Sequence, residues 1–278
     1  LGAGDTEVRY GVLPDALDAD AFAAVRDEID WQQMRHRGGL VPRLVCLQGA
    51  IAPDGAIPFY RHPADEQPPL LPWSPFVDRL RAAIEAQTGQ LINHALIQRY
   101  MDGSNYISPH ADKTLDIARG TAILGLSLGA TRSINLRAKL PGPDGSYASQ
   151  TLELPHGSLF VLGWRTNQEW SHGIRQDNRQ DEERREDERR DGGQRISLTM
   201  RTVATFLTPD GLLYGQGARR KARDLPPAST PHPPQEEAQQ MLSAFALENQ
   251  QADFDWELHY GQGFDALDLN ILNAPEAP

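Results

Sequence analysis

Three residues in this chain have the types and spacing of a metal site, and two more have those of an anion clamp. His110 and Asp112 stand two apart in SPHAD, His172 follows in WSHGI, and Arg195 and Arg201 bound the segment RISLTMR. Two imidazoles and one carboxylate make a facial triad that holds non-haem Fe(II) and leaves coordination positions open. On an extended segment, residues two apart share a face, so His110 and Asp112 point the same way. The third ligand then has to come from another strand or its edge, and His172 sits just after the apolar run that ends near Leu162. Arg195 and Arg201 also share one face of a β-prone stretch. Buried guanidinium groups need anionic partners, and a planar guanidinium grips a carboxylate at two points. A bound dicarboxylate and Asp112 would supply them. Tyr100, before the His-x-Asp pair, adds a hydroxyl donor. These residues point to oxidation by Fe(II), a 2-oxoglutarate co-substrate and O2, and leave the substrate open.

The remaining histidines read differently. His156 lies in the turn PHGS and shapes it, His94 opens a strand and packs there, and His36, His62, His232 and His259 lie outside the strand-rich region.

The elements that must position the site are legible as patterns. Phe22, Val25 and Ile29 recur at helical spacing within 20–33, with Asp20 as cap. Val41–Leu47 reads as a strand, and 48–72, rich in Pro and Gly, as a long loop. Ser74-Pro75 opens a second helix, with Ser74 as cap, and Gly89 ends it. Strands are expected at His94–Met101, Ala122–Leu128, Ser133–Ala138, Thr151–Leu154, Ser158–Leu162 and Gln194–Phe206. Such a succession predicts an all-β sandwich or barrel with the preceding helices packed on one side, an α+β arrangement. Residues 175–193 are nearly all polar or charged and read as a solvated insertion, with a lid as the alternative. After Phe206 comes a Pro-rich stretch at 226–234, a helical stretch from Gln235 to Asn249, and enough aromatic residues to dock onto the core.

The chain has 278 residues, a net charge of -11 and a single cysteine, Cys46. One cysteine excludes an internal disulfide framework. The acidic balance argues against nucleic acid, because phosphate contacts need clustered Lys and Arg. Arg132, Arg137 and Lys139, or the RRKAR run at 219–223, could still make a local basic track. No apolar run approaches a membrane span, so no membrane partner is expected. The expected location is intracellular and cytoplasmic, or nuclear if the partner is nucleic acid.

Residues 92–207 resemble the AlkB-like family of Fe(II)/2-oxoglutarate dioxygenases. The matching text is INHALIQRYMDGSNYISPHADKTLDI, AILGLSLGA, LPHGSLFVL, WSHGI and RISLTMR. The resemblance implies a double-stranded β-helix, or jelly roll, over 92–207, carrying the charged insertion 175–193. Residues 1–91 would form an N-terminal helical and loop region packed on it, and 208–278 a C-terminal extension. It implies His110, Asp112 and His172 as iron ligands and catalytic centre. It implies Arg195 and Tyr100 as partners of the distal carboxylate of 2-oxoglutarate, with Arg201 nearer the metal-side carboxylate. The coupled products are succinate and CO2. Three positions depart from the family pattern. Gln98 stands where Asn is usual before x-Tyr, Ser197 stands where Asn often follows the first Arg, and Lys113-Thr114 follow Asp112 where base-reading members carry an acid.

The acidic charge, the missing acid and the loop 48–72 favour a small-molecule substrate, an amino acid or specialised metabolite. Arg43, Arg61 or Arg99 would hold a carboxylate on it. The alternative is oxidative N-demethylation of nucleic-acid bases, in which the base leaves its stack to enter the pocket. A non-catalytic binding module is a third reading, against which the complete ligand set speaks.

Overall fold

The computed structural model describes the chain except for residues 37–38, 64–67, 228–232, 268 and 270–278, with backbone alone at 35, 36, 39 and 40. His232 and the side chain of His36 therefore lie outside the described residues. In chain order the strands begin with β1 (Glu7–Arg9), β2 (Gln32–His36), β3 (Gly39–Gly49), β4 (Ile57–Pro58) and β5 (Leu70–Pro72). They continue with β6 (His94–Tyr100), β7 (Ile107–His110), β8 (Ile123–Gly129), β9 (Arg132–Ala138) and β10 (Ser149–Leu154). The last are β11 (Ser158–Leu162), β12 (Trp170–Ile174), β13 (Arg195–Arg201), β14 (Thr205–Leu207) and β15 (Leu213–Gly215). Helices are α1 (Asp15–Asp18), α2 (Ala21–Glu28), α3 (Pro75–Thr88), α4 (Trp164–Glu169), α5 (Glu186–Arg189), α6 (Pro234–Gln250) and α7 (Trp256–Tyr260).

The major sheet has 8 strands, ordered β1-β11-β8-β13-β6-β3-β2 with β5 added on β3, and the minor sheet has 4, ordered β10-β9-β12-β7. All pairings are antiparallel except that of β5 with β3. Period-two alternation decides which face each side chain takes. On β13, Ile196, Leu198 and Met200 turn to one side and pack with Phe22 and Val25 of α2 and Val77, Leu80 and Ile84 of α3. Arg195, Ser197, Thr199 and Arg201 turn to the other side, toward the minor sheet. There a second cluster joins Ile123, Phe160 and Leu162 of the major sheet to Ile134, Leu136, Leu154 and Ile174 of the minor one. The expected helices on one side of a sheet core are thus present. Full burial of each of the three α3 side chains stabilises by roughly 1.5–3 kcal/mol.

Helix capping differs from expectation. Ser74 makes no cap bond, and instead the Glu28 carboxylate, at the end of α2, accepts from the Phe76 and Val77 N–H groups. An anion suits the positive end of α3, and this contact couples the two helices. Asp20 does not cap α2 either. Gly89 does end α3, with φ +69°, a conformation that costs glycine little.

Several strands were not visible as patterns. The expected 20–33 helix stops at Glu28 and the chain turns into β2. Residues 1–91 also give β1 and β3 to the major sheet. The stretch Gln194–Phe206 splits, with β13 ending at Arg201 and β14 pairing elsewhere with β4 and β15. The C-terminal extension docks through its own core, in which Met241, Ala244 and Phe245 of α6 meet Tyr260, Phe264 and Leu115. Among the described residues no helix is long and apolar enough to cross a membrane.

Candidate metal centre and the two cavities beside it

His110 and His172 do not sit in loops. They end β7 and centre β12, and the antiparallel register makes them direct cross-strand partners. Paired positions hold side chains close together, and here the ring centroids are 4.4 Å apart. The sequence placed His172 after a strand, whereas the short helix α4 intervenes and β12 begins at Trp170. A register shift follows between His172 and Ile174.

Asp112 completes the cluster from the loop beyond β7. Its Oδ1 lies 3.5 Å from His110 Nε2 and 3.8 Å from His172 Nε2. One ligand atom from each of the three residues falls within 4.8 Å of the others, a spacing that could hold a metal ion. The other oxygen, Oδ2, accepts from Arg201 Nη2 at 2.5 Å and Nε at 3.1 Å. Arg201 thus fixes the carboxylate with Oδ1 toward the imidazoles. Burial opposes ionisation of Asp112, which is 7% exposed. The Arg201 guanidinium and the two imidazoles outweigh that cost and hold the carboxyl well below its ordinary range. Burial, with His110 beside it, pushes the His172 imidazole down to about 3. A neutral ring keeps the lone pair that metal ligation needs. The Nδ1 of His110 lies 2.9 Å from the Ser108 carbonyl. Donation there places the lone pair on Nε2, facing Asp112.

Several supporting residues escaped the sequence reading. Asn167 of α4 accepts from the Asp112 N–H and donates to its carbonyl, both at 2.9 Å. Asn249 Oδ1, from α6, accepts from the Ala111 N–H at 2.9 Å. Glu248 accepts from the Thr114 N–H at 2.9 Å and from the Tyr260 hydroxyl at 2.7 Å. Burial, opposed by Lys113, keeps the Glu248 carboxyl above its ordinary value. No local motif flags these groups, because they reach the loop from positions far along the chain.

Between the sheets lies a cavity of about 90 Å³, walled by side chains such as Ile123, Leu154, Phe160 and Ile174, with His172 and Asp112 at one end. Its polar wall comes from two neighbouring strands. Tyr100 pairs with Arg195, and Gln98 with Ser197. Arg195 is 2% exposed. Its Nη2 donates to Ser127 Oγ at 2.8 Å and Ser197 Oγ at 3.3 Å. Among the described residues its Nε and Nη1 have no hydrogen-bond partner, nor does Arg201 Nη1. Unpaired buried guanidinium N–H groups are costly and fit a bound carboxylate. All five residues expected around 2-oxoglutarate, Arg195, Arg201, Tyr100, Gln98 and Ser197, line this cavity. Sequence reasoning missed Ser127.

A larger cleft of about 630 Å³ opens on the other side of His110, Asp112 and Arg201. Its walls include Met34, Val41, Arg43, Tyr106, Leu242 and Phe245. Of Arg43, Arg61 and Arg99, only Arg43 lines it. Arg61 is sealed in an ion pair with Asp116, and Arg99 donates to Gln194. The proposed basic tracks are largely used internally. Arg132 donates to the Asp102, Gly103, Asn105 and Arg175 carbonyls, Lys139 to those of Glu248 and Gln251, and Arg219 to Glu237. His156 shapes its turn as expected, accepting from the Gly129 N–H at 2.9 Å. No described residue of 175–193 lines either cavity.

The model of the 2OG-Fe(II) oxygenase superfamily matches residues 6–201. The human DNA oxidative demethylase ALKBH2 is 37% identical over 106 residues, which cover 37% of this chain and 41% of that protein. The human alpha-ketoglutarate-dependent dioxygenase alkB homolog 3 is 27% identical over 183 residues, 64% of this chain and 55% of that one. The matches span between about two fifths and just over half the length of these relatives. The structure of OsALKBH1 superposes with a TM-score of 0.44 at 17% identity, covering 71% of this chain and 98% of that one. The chain belongs to the 2OG-Fe(II) oxygenase superfamily as an AlkB-like dioxygenase that uses Fe(II), 2-oxoglutarate and O2.

Proposed function

We propose that this enzyme removes N-linked alkyl groups oxidatively from nucleic-acid bases. The observation that carries the reading is the outer cleft. It has the size of a ligand pocket, abuts the metal cluster directly, and is distinct from the interior cavity suited to the co-substrate. Apolar and aromatic walls suit a flat base taken out of its stack. The relatives, a DNA oxidative demethylase among them, favour this over a metabolite. Net charge, which motivated the metabolite reading, averages the whole surface and does not describe one cleft. With nucleic acid as partner, the nuclear alternative for location goes with this reading.

The two facing sheets are read as a double-stranded β-helix, and the roles follow from place. His110, Asp112 and His172 hold Fe(II). Arg195 and Tyr100 receive the distal carboxylate of 2-oxoglutarate, with Ser197 and Gln98 beside them, and Arg201 keeps Asp112 oriented. Bound Fe(II), with 2-oxoglutarate and O2, supplies oxidation of the N-alkyl carbon, giving succinate and CO2. The hydroxylated carbon then leaves as an aldehyde, formaldehyde for a methyl group, and the base nitrogen regains a proton. The apolar part of the interior cavity's wall, with Ile123, Leu154 and Phe160, limits water around the co-substrate, which strengthens its charge pairing.

Iron-loaded enzyme with 2-oxoglutarate is tested against N-methylated single- and double-stranded oligonucleotides and a metabolite-amine panel. Stoichiometric formaldehyde and succinate with an oligonucleotide is the expected result. Succinate stimulated by a metabolite alone overturns the reading.

A further inference from the structure

The extension beyond the matched family region reaches the centre through one amide. Asn249 lines the outer cleft and lies against the backbone between His110 and Asp112. Its Oδ1 accepts two donors, the Ala111 N–H at 2.9 Å and Lys113 Nζ at 3.2 Å. Two donors on one side fix which way the amide points, because the opposite orientation would set its own N–H groups against them. The Nδ2 group is therefore turned away from the loop, and no described residue accepts from it. Arg43, in the facing wall, is 8% exposed, and its buried Nε–H also has no acceptor among the described residues. The one carboxylate among the described lining residues is Asp112, already committed to Arg201 and the imidazoles. The cleft thus offers donors beside the metal cluster and no free acceptor carboxylate.

We propose that Asn249 is a specificity-determining residue, whose amide N–H donates to a carbonyl oxygen adjoining the alkylated nitrogen of the substrate base. This rests on the demethylase reading and narrows its substrate class. Bases whose alkylated ring nitrogen is flanked by carbonyls, such as 3-methylthymine, or by one, as in 1-methylguanine, complement a donor-lined cleft. 1-Methyladenine has no carbonyl beside its methylated nitrogen, 3-methylcytosine keeps only the one at C2, and both bases are cationic. 1-Methyladenine meets Asn249 as donor against donor, where a buried donor left unpaired is penalised, and both cations meet the like charge of Arg43 in the facing wall.

The test is equilibrium binding of fluorescent single-stranded oligonucleotides to enzyme loaded with Ni(II) and 2-oxoglutarate, which binds without turning over. Each oligonucleotide carries one of the four methylated bases or none. The expected order is 3-methylthymine and 1-methylguanine about tenfold tighter than the other two. Asn249→Asp keeps an oxygen for Ala111 and replaces the donor by an acceptor, so it should reverse the order. Asn249→Ala should level it, with thermal midpoints confirming that both variants fold. The same order in wild type and Asn249→Asp, or a wild-type preference for the cationic bases, overturns the proposal while leaving demethylation standing. Equal binding of methylated and unmethylated strands overturns both.

Discussion

The inner cavity and the outer cleft share Leu96, Gln98, Ile107, His110, Asp112 and Arg201 yet are completed in different ways. The polar wall of the inner cavity comes from β6 and β13, adjacent strands in unbroken register. The outer cleft also takes Leu96 and Gln98 of β6 and Arg201 of β13, but adds β3, β7 and the segment before it, the metal loop and α6, parts that lie far apart in the chain. Fixed chemistry is thus housed where backbone hydrogen bonds set every side chain. The cleft proposed for recognition is closed instead by a distant helix, α6.

That contrast is broken most sharply at the shared residues. Asp112→Ala removes the group that joins both imidazoles to Arg201, and leaves the Arg201 guanidinium buried and unpaired. Substrate-dependent succinate formation should fall by about three orders of magnitude or more, as when groups that act as a unit lose a member. Retained turnover would sink the metal assignment. Stability should fall as well, by about 3–5 kcal/mol, since an uncompensated buried charge remains. His110→Ala should abolish turnover with a smaller loss of stability, because that ring is the more exposed of the two.

The inner cavity alone is addressed by Arg195→Ala. The lost charged hydrogen bonds are worth about 1.5–3 kcal/mol, so the 2-oxoglutarate requirement should rise roughly 10- to 150-fold. Binding of methylated oligonucleotide to the loaded enzyme at saturating 2-oxoglutarate should stay unchanged. If both shift together, the two cavities are one site and the comparison fails.

Acid should find the inner side first. The His172 pKa is about 3 in the folded protein against an ordinary 6.5. The unfolded chain therefore binds a proton across that window and the folded chain does not. The stabilisation is complete above 6.5 and drains away as pH falls toward 3, by on the order of 5 kcal/mol for the metal-free protein. Asp112, held low, adds a loss in the same direction below its unfolded value. Urea unfolding at several pH values measures the slope, and His172→Gln should flatten it between 6 and 4. An unaltered slope would mean that other groups set the acid limit.

What the sequence disclosed follows the same division. His110, Asp112, His172 and the β13 arginines are legible because metal and carboxylate chemistry admits few residue types, and strand periodicity fixes their spacing. The strands that carry the two histidines were not. β7 contains a proline and is 4 residues long, and β12 is interrupted by Gly173, so neither shows an alternating apolar pattern. Asn167, Glu248 and Asn249 act through tertiary contacts, and an amide or carboxylate on a helix gives no local sign of what it will meet. The helix over 235–249 was visible, but not the loop it would brace.

The charged segment 175–193 tests whether a third region is needed. It lies outside both cavities, and its order comes from surface ion pairs. Arg179 reaches Asp177 and Glu188, and Arg184 reaches Asp177 and Asp181. Its root is tied more firmly, since the Thr131 N–H donates to the Asp187 carbonyl and Arg132 to that of Arg175. Exposed pairs of this kind contribute about 0–1 kcal/mol each and are screened by salt. Arg179→Ala should therefore lower the thermal midpoint by no more than about 4 °C, and by less at high salt. It should move neither the 2-oxoglutarate requirement nor oligonucleotide binding. A tenfold change in either, with the midpoint held, would make the segment a lid, and the split between a rigid inner chamber and an assembled outer one would have to include the cover between them.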